Sequence, residues 1–535
     1  MDQFETLTAI KPGQVVPLHL TTPYQQEPLN AFLSLREENG EHILLESAEI
    51  DSRNHLKSLI LIDASLRINC THQSVNVTAL TKNGKQLLTW LKSEFEELST
   101  LQESTLTIQF QTPPVGVSES ERLLYPSSID VLRTLQLKLK SLSDEPLMPF
   151  LAGVFAYDYL ASFEQLPDVP EGSNTCPDFQ YYLAETLLVI DHQQQDATLI
   201  GTLPGGEDVK ARYQTLCSRM GEILARVQMP KMDHQEKENL MGDLVHISVT
   251  PDEASFMNTV TALKENIRNG ELFQVVPSRE FKLNCSNALR SYAQLKQDNP
   301  SPYMFYMQAD SFELFGASPE SALKYTAATR QAELYPIAGT LPRGKHQDGS
   351  INLDLDARTE VALRSDQKEL SEHMMLVDLA RNDLARIGVP GSRYVADLLK
   401  VDRYSHVMHL VSRVVCTLKP ELDAVDAYRA CMNMGTLVGA PKLSAARFIR
   451  EHEKQRRGSY GGAVGYLTGN GDMDTCIVIR SAFVQNGIAT VQAGAGVVHD
   501  SNPESELQET VQKAQAVLSA ISTTESKLSQ TRGTR

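Results

Sequence analysis

A chain of 535 residues exceeds one ordinary hydrophobic core and implies at least two packed subdomains. Its composition, 41% hydrophobic and 22% charged, is that of a soluble globular protein. The formal charge of −17, from 67 acidic against 50 basic residues, argues against a general nucleic-acid surface, which needs a basic footprint. The start, Met1-Asp2-Gln3-Phe4-Glu5, has neither the basic nor the apolar region of a signal peptide, and no run is long enough to span a bilayer. The seven cysteines are scattered without CxxC or zinc spacing, which predicts reduced thiols in a cytoplasmic protein.

Residues 1–30 are polar and rich in turn formers, which predicts a lightly docked N-terminus. Short apolar runs at 42–47 and 58–63 predict strands, 84–98 predicts a helix carrying Trp90, and 153–158 and 182–190 predict further strands. A helical pattern over 207–227 gives way to a charged stretch, 229–249, expected to link an N-terminal unit, 1–228, to a second unit, 250–521. Residues 522–535 are expected to be a tail. In the second unit, 251–269, 286–298, 366–387, 423–430 and 503–521 predict helices. The runs 303–309, 312–317, 410–418, 460–468, 475–484 and 488–498 predict strands. Many strands with few long crossovers predict an α+β fold with large antiparallel sheets flanked by helices.

Four groups of residues carry possible chemistry. Glu369 and Glu372 share one face of a predicted helix, about 60° apart. Glu506 and Glu509 do the same on another, after Asn502 and Pro503 as cap and first turn. Each pair read alone is a solvated acidic face. If the two faces meet, carboxylates about 4 Å apart repel by about 4 kcal/mol at an effective dielectric of 20, so protons or a cation must lie between them. An all-carboxylate donor set points to Mg²⁺ over zinc. Glycine turns at Gly339-Thr340, Gly435-Thr436, Gly461-Gly462 and Gly494-Ala495-Gly496 could bring backbone N–H groups to an anion, or could simply be turns. No dinucleotide or nucleoside-triphosphate motif occurs. Arg480, His409 and Glu320 stand in apolar surroundings, where each could equally be a satisfied core residue.

Six segments in order are similar to the chorismate-utilising enzymes: Ser318-Pro319-Glu320, Pro336-Ile337-Ala338-Gly339-Thr340, Lys368 to His373 with Asp378 to Asp383, Gly435 to Lys442, Gly461 to Tyr466, and Pro503 to Glu509. The resemblance covers about residues 250–520 and implies that the α+β fold is built as two intertwined subdomains. Within it, Ala338 stands where aminodeoxychorismate synthases of the bacterial type carry a nucleophilic lysine. Gln274 stands where the isochorismate and salicylate branch carries a water-activating lysine. Both point to the anthranilate-forming branch, with direct attack by ammonia. Leu44-Leu45-Glu46-Ser47 and Asn299 to Phe305 resemble its tryptophan-sensing segments. Val438 departs from the family pattern, which commonly shows serine there.

The resemblance implies Mg²⁺-dependent conversion of chorismate and ammonia to anthranilate and pyruvate. It implies Glu372 and Glu509 as metal ligands, with Glu369 and Glu506 close by. Gly339, Thr340, Tyr460, Arg480, Gly494, Ala495 and Gly496 would hold chorismate. Glu320, Thr436 and His409 would be catalytic, with Glu320 protonating the leaving hydroxyl and His409 serving pyruvate elimination. Leu45, Glu46, Ser47, Pro302, Tyr303 and Met304 would bind L-tryptophan as inhibitor. The chain has no recognisable glutaminase nucleophile, so a separate glutamine amidotransferase subunit is expected to deliver ammonia, in a heterotetramer with two copies of each chain. The alternatives are an aminodeoxychorismate synthase and a non-catalytic amino-acid-binding regulator.

Overall fold

Two long strands, Lys57–Thr71 and Phe179–Asp191, run antiparallel and slip register between Leu61 and Leu66. Such bulges bend a strand and increase its twist, and here each strand serves two sheets. The computed structural model describes residues 10–46, 57–114, 116–228, 246–346, 348–404 and 407–533.

The first sheet runs from Ser248–Thr250 through Ser278–Asn284, Ile488–Gly494, Ser481–Gln485, Glu313–Ser318, Tyr303–Gln308 and His42–Glu46 to the first part of Lys57–Thr71. It continues through the second part of Phe179–Asp191 to Asp196–Pro204 and Gln14–Thr22. The second sheet joins the other parts of the two long strands to Phe150–Phe155, Ala463–Thr468, Met473–Ile477, Ser321–Thr326, Gln331–Leu334 and Val407–Thr417. Val407–Thr417 also pairs with Ile337–Pro342 and Tyr394–Arg403. The expected intertwining is visible at two ladders. His42–Glu46 pairs with Tyr303–Gln308, and Phe150–Phe155 pairs with Ala463–Thr468, so both halves of the chain build both sheets.

Ile43, Leu61, Phe150, Val154, Phe305, Leu314, Val464 and Phe483 pack between the sheets. Helices Pro28–Leu35, Val209–Gln228, Ala288–Asp298 and Pro503–Gly533 close the first sheet with Phe32, Ile223, Tyr292 and Leu518. Helices Lys82–Glu94, Gln367–Ile387, Ala424–Cys431 and Lys442–Glu453 close the second with Leu88, Leu384, Tyr428 and Ile449. Among the described residues, no helix is long and apolar enough to cross a membrane.

Several elements differ from the sequence expectations. Residues 14–22 are a full strand, not a loose end, because alternate residues such as Val15 are buried between two neighbours. The run 475–484 breaks into two strands at Arg480, whose φ of 50° is left-handed. Helix Leu353–Ser365 escaped notice because it buries only Asp356 and Leu363 and has almost no apolar stripe. The last helix runs on to Gly533 through most of the expected tail. Most of the expected linker, 229–245, lies outside the described residues, and Ser248–Thr250 beyond it is an edge strand.

Candidate active site

Asp366 ends one helix and starts the next, its carboxylate accepting the N–H groups of Lys368 and Glu369 at 2.9 and 3.1 Å. Helix Gln367–Ile387 buries His373, Leu376, Val377, Ala380 and Leu384. Its neighbouring face carries Glu369 and Glu372. Helix Pro503–Gly533 starts the same way: Asn502 accepts from Glu504 and Ser505 at 3.0 and 3.1 Å. One turn on, Glu506 is buried, and its Oε2 has no hydrogen-bond partner.

The two acidic faces meet. Burial, then repulsion from Glu369, Glu509 and Glu506, pushes the Glu372 carboxyl up to about 7 against the pull of Lys368. Burial likewise raises Glu369 and Glu506, with Glu509 adding repulsion to both. Two lysines meet part of this charge: Lys513 Nζ is 2.5 Å from Glu509 Oε1, and Lys368 is 3.9 Å from Glu372. Among the described residues, no three acidic, His or Cys side chains are drawn together tightly enough to hold a metal ion. The chemistry of the donors nevertheless fits a hard divalent cation: four facing carboxyls, three raised in pKa, one with an orphaned buried oxygen.

Glu320 follows Pro319 at the junction of strands Glu313–Ser318 and Ser321–Thr326. Thr436 Oγ1 donates to its Oε1 at 2.9 Å. Burial pushes its carboxyl up to about 8, although Thr436, Lys513 and Arg480 pull it down. Glu320 and Thr436 border a cavity of about 30 Å³ with Leu376 and Asp383, large enough for one water-sized molecule.

Arg480 makes no side-chain hydrogen bond or ion pair among the described residues. Its backbone carbonyl accepts from Ala317 N–H at 3.0 Å, anchoring the left-handed residue. Burial lowers the guanidinium pKa, and Tyr460, Glu320 and Glu509 oppose that shift. The Tyr460 ring packs on the Arg457 guanidinium at 5.5 Å. Arg457 is in turn fixed by Glu453 at 2.5 Å and by the carbonyls of Leu437 and Val276 at 2.9 and 2.7 Å. Burial raises the Tyr460 hydroxyl to about 12.

Gly494 faces this hydroxyl, since a Cβ there would lie 3.0 Å from Tyr460 Oη. A Cβ on Gly496 would meet Gln274 Nε2 at 2.8 Å, and Gln274 Oε1 is buried without a partner. Gln274 therefore lies against the glycine turn. The N–H of Ala495 donates to the Pro277 carbonyl at 3.1 Å. Val438 is buried and its carbonyl accepts from Val276 N–H at 3.0 Å, a role that any side chain of that size permits.

Thr340 and His409 are direct partners in the ladder, and Thr340 Oγ1 lies 2.8 Å from His409 Nδ1. Burial, then Arg480, pushes the imidazole down to about 4, so the ring is neutral at neutral pH. Tyr404 packs edge-on at 5.1 Å. The preceding Gly339 has φ of 88°, and a Cβ there would stand 3.3 Å from Glu369 Oε2. The turn thus joins the carboxylate cluster to His409.

A separate cavity of about 610 Å³ is lined by Leu45, Glu46, Pro302, Tyr303, Met304 and Tyr466, among others. The two expected tryptophan-sensing segments meet there through their antiparallel strands. The Glu46 carboxylate is already held by Tyr292 at 2.5 Å and Lys296 at 2.6 Å, so it shapes the wall as part of a buried cluster. Ser47 lies outside the described residues. Sequence reasoning missed Lys513, which also donates to the Gly494 carbonyl at 3.0 Å. The Glu509–Lys513 spacing of one helical turn was the available signal.

A family model described as chorismate binding enzyme matches residues 47–519. The chain is 54% identical to anthranilate synthase component 1 of Vibrio cholerae, over 94% of this chain and 96% of that protein. The chain belongs to the anthranilate synthase component 1 family of chorismate-binding enzymes. Its identity to anthranilate synthase component 1 of Escherichia coli is 52%, over 94% of this chain and 95% of that one. Anthranilate synthase component I from Streptococcus pneumoniae superposes with a TM-score of 0.66 at 27% identity, covering 92% of this chain and 97% of its own. The menaquinone-specific isochorismate synthase of Escherichia coli shares the fold, with a TM-score of 0.65 at 19% identity and 97% of each chain covered. The match of this anthranilate synthase component 1 family member begins at residue 47, far before the motifs near 250. That agrees with sheets built by both halves.

Proposed function

We propose that this chain converts chorismate and ammonia to anthranilate and pyruvate, with ammonia delivered by a glutamine amidotransferase partner. The names of its relatives, anthranilate synthase component 1, support the reaction and imply a second component. The observation that carries the reading is a buried acid beside a partly buried cation. Glu320, raised to about 8, retains its proton at neutral pH, and Arg480 near it makes no ion pair among the described residues.

Chorismate brings two carboxylates. Arg480 and the Tyr460 hydroxyl receive one, and Gly494 and Gly496 leave room for it against the backbone. The other faces the glutamates, where it is tolerable only with added positive charge. Glu372 and Glu509 would hold Mg²⁺, with Glu369 and Glu506 alongside, and the ion supplies that charge when bound. Gly339 and Thr340 position the ring.

Ammonia adds at ring C2 as the C4 hydroxyl leaves, and Glu320 gives that hydroxyl its proton. The amino intermediate then loses pyruvate as His409, neutral and fixed by Thr340, takes up the ring proton. Ala338 places no nucleophile at the ring, and Gln274 cannot deprotonate water usefully. Both favour ammonia as the attacking group. The cavity at Leu45 and Met304 would take L-tryptophan, which inhibits by favouring a state that closes poorly over chorismate. The test is product analysis by mass spectrometry with chorismate, Mg²⁺ and an ammonium salt. Anthranilate and pyruvate in equal amounts support the reading, and an amino product that keeps its pyruvyl group rejects it.

A further inference from the structure

Behind the catalytic turn runs a chain of hydrogen bonds that the mechanism above leaves unused. His373 is fully buried on the helix that carries Glu369 and Glu372. Its Nδ1 lies 3.2 Å from the Ala338 carbonyl and its Nε2 lies 2.7 Å from Ser412 Oγ. Leu399 N–H donates to the same Ser412 oxygen at 3.0 Å. A carbonyl only accepts, which assigns the proton to Nδ1 and makes Nε2 the acceptor of the Ser412 hydroxyl. The donors then run in one direction, from Leu399 to Ser412 to His373, while His373 also donates to Ala338. Ser412 N–H fastens the same turn a second time, donating to Pro336 O at 3.0 Å.

Ser412 lines the 610 Å³ cavity, and Ala338 and Leu399 each adjoin a residue that does. Ile337, next to Ala338, lines it. So do Val411, Ser412 and Arg413, and also Asp397 and Lys400, two residues before and one after Leu399, where the edge strand slips register. The strand Val407–Thr417 is therefore a floor with the cavity on one side and His373 on the other. On its far side the turn touches the site: Gly339 abuts Glu369, and Thr340 bonds His409.

We infer that His373 is a positioning residue that, through Ser412, couples the floor of this cavity to the catalytic turn at Ala338–Thr340. The inference rests on the proposed reading of the cavity as an amino-acid site. A buried chain of this kind has few alternative arrangements, so displacing the floor displaces the turn. Coupling between two ligands is reciprocal: chorismate must weaken tryptophan binding by the factor with which tryptophan weakens chorismate binding.

The test measures L-tryptophan binding to the full chain by calorimetry, with and without saturating chorismate and Mg²⁺, and without ammonia. The unmodified chain is expected to bind tryptophan about tenfold more weakly with chorismate present. Ser412→Ala is expected to bring that ratio below about threefold. Ser412→Thr keeps the hydroxyl and restores the ratio. Should Ser412→Ala fail to fold, His373→Asn serves instead, since its amide still donates to Ala338 but no longer reaches Ser412. A variant that folds and keeps the full ratio overturns the inference. An unmodified chain that binds no tryptophan overturns the reading of the cavity, and the inference with it.

Discussion

Thr436 donates a hydrogen bond to Glu320 at 2.9 Å, and this contact joins the glycine-rich segment at 435 to a buried acid of the site. The contact favours the charged carboxylate, while burial favours the neutral acid and prevails, leaving the group at about 8.

Activity is therefore expected to fall on the alkaline side as pH rises through about 8, where Glu320 loses the proton it donates. Thr436→Ala removes the one hydrogen bond that lowers the pKa, so its alkaline limb moves to higher pH. Glu320→Gln has no such limb and loses roughly 10²–10⁴-fold in kcat. The pH profile of kcat for the three proteins checks this.

The same carboxyl affects stability. Its folded pKa lies above its unfolded value, so its contribution is fully present below the unfolded pKa and is lost as pH rises through about 8. Glu320→Gln is expected to show a smaller fall in Tm between pH 5 and pH 9 than the unmodified chain, as read by differential scanning calorimetry.

Mg²⁺ is expected to raise Tm without any substrate, because it relieves repulsion among Glu369, Glu372, Glu506 and Glu509. Metal binding requires deprotonated carboxylates, so the shift grows as pH rises through about 7, where Glu372 titrates. Glu372→Gln and Glu506→Gln each reduce the shift. A Tm that Mg²⁺ leaves unmoved at every pH refutes the metal assignment.

Gly339→Ala places a side chain at φ of 88° and within 3.1 Å of Leu363. The left-handed backbone alone costs about 1–2 kcal/mol. The displaced turn also misplaces Thr340 against His409, so kcat is expected to fall beyond what the lost stability explains. Urea unfolding and steady-state kinetics separate the two effects.

His409→Ala is expected to release the amino intermediate with its pyruvyl group still attached, because ammonia addition does not use the imidazole. Chromatography of the products shows it directly. Unchanged anthranilate output removes His409 from the mechanism.

Much of this site can be read from the chain before folding, and the unread part has physical causes. The i,i+3 pairs Glu369/Glu372 and Glu506/Glu509 mark two helix faces, because helical periodicity is local. Their encounter is not local: it depends on the 367–387 and 503–533 helices flanking different sheets that meet at the site. Arg480 reads as a polar residue in an apolar run, yet its left-handed backbone, which ends the strand, leaves no mark in the pattern. His373 closes the Lys368–His373 motif, but its role depends on Ser412 and Ala338, and nothing in the sequence places those three together. The hydrogen bond from Ala495 N–H to Pro277 is likewise a tertiary fact. Glu46 lines the cavity as its motif suggests, but its bonds to Tyr292 and Lys296 are again tertiary and leave no mark in the sequence.

In the proposed reaction the chain itself performs the ring amination and the elimination, and needs a partner only for ammonia. The most direct measurement follows anthranilate fluorescence from the purified chain with chorismate and Mg²⁺, once with an ammonium salt and once with glutamine. Fluorescence that grows with the ammonium salt and not with glutamine is the predicted result. Glutamine-driven product from this chain alone, or no anthranilate from ammonium, would contradict the account.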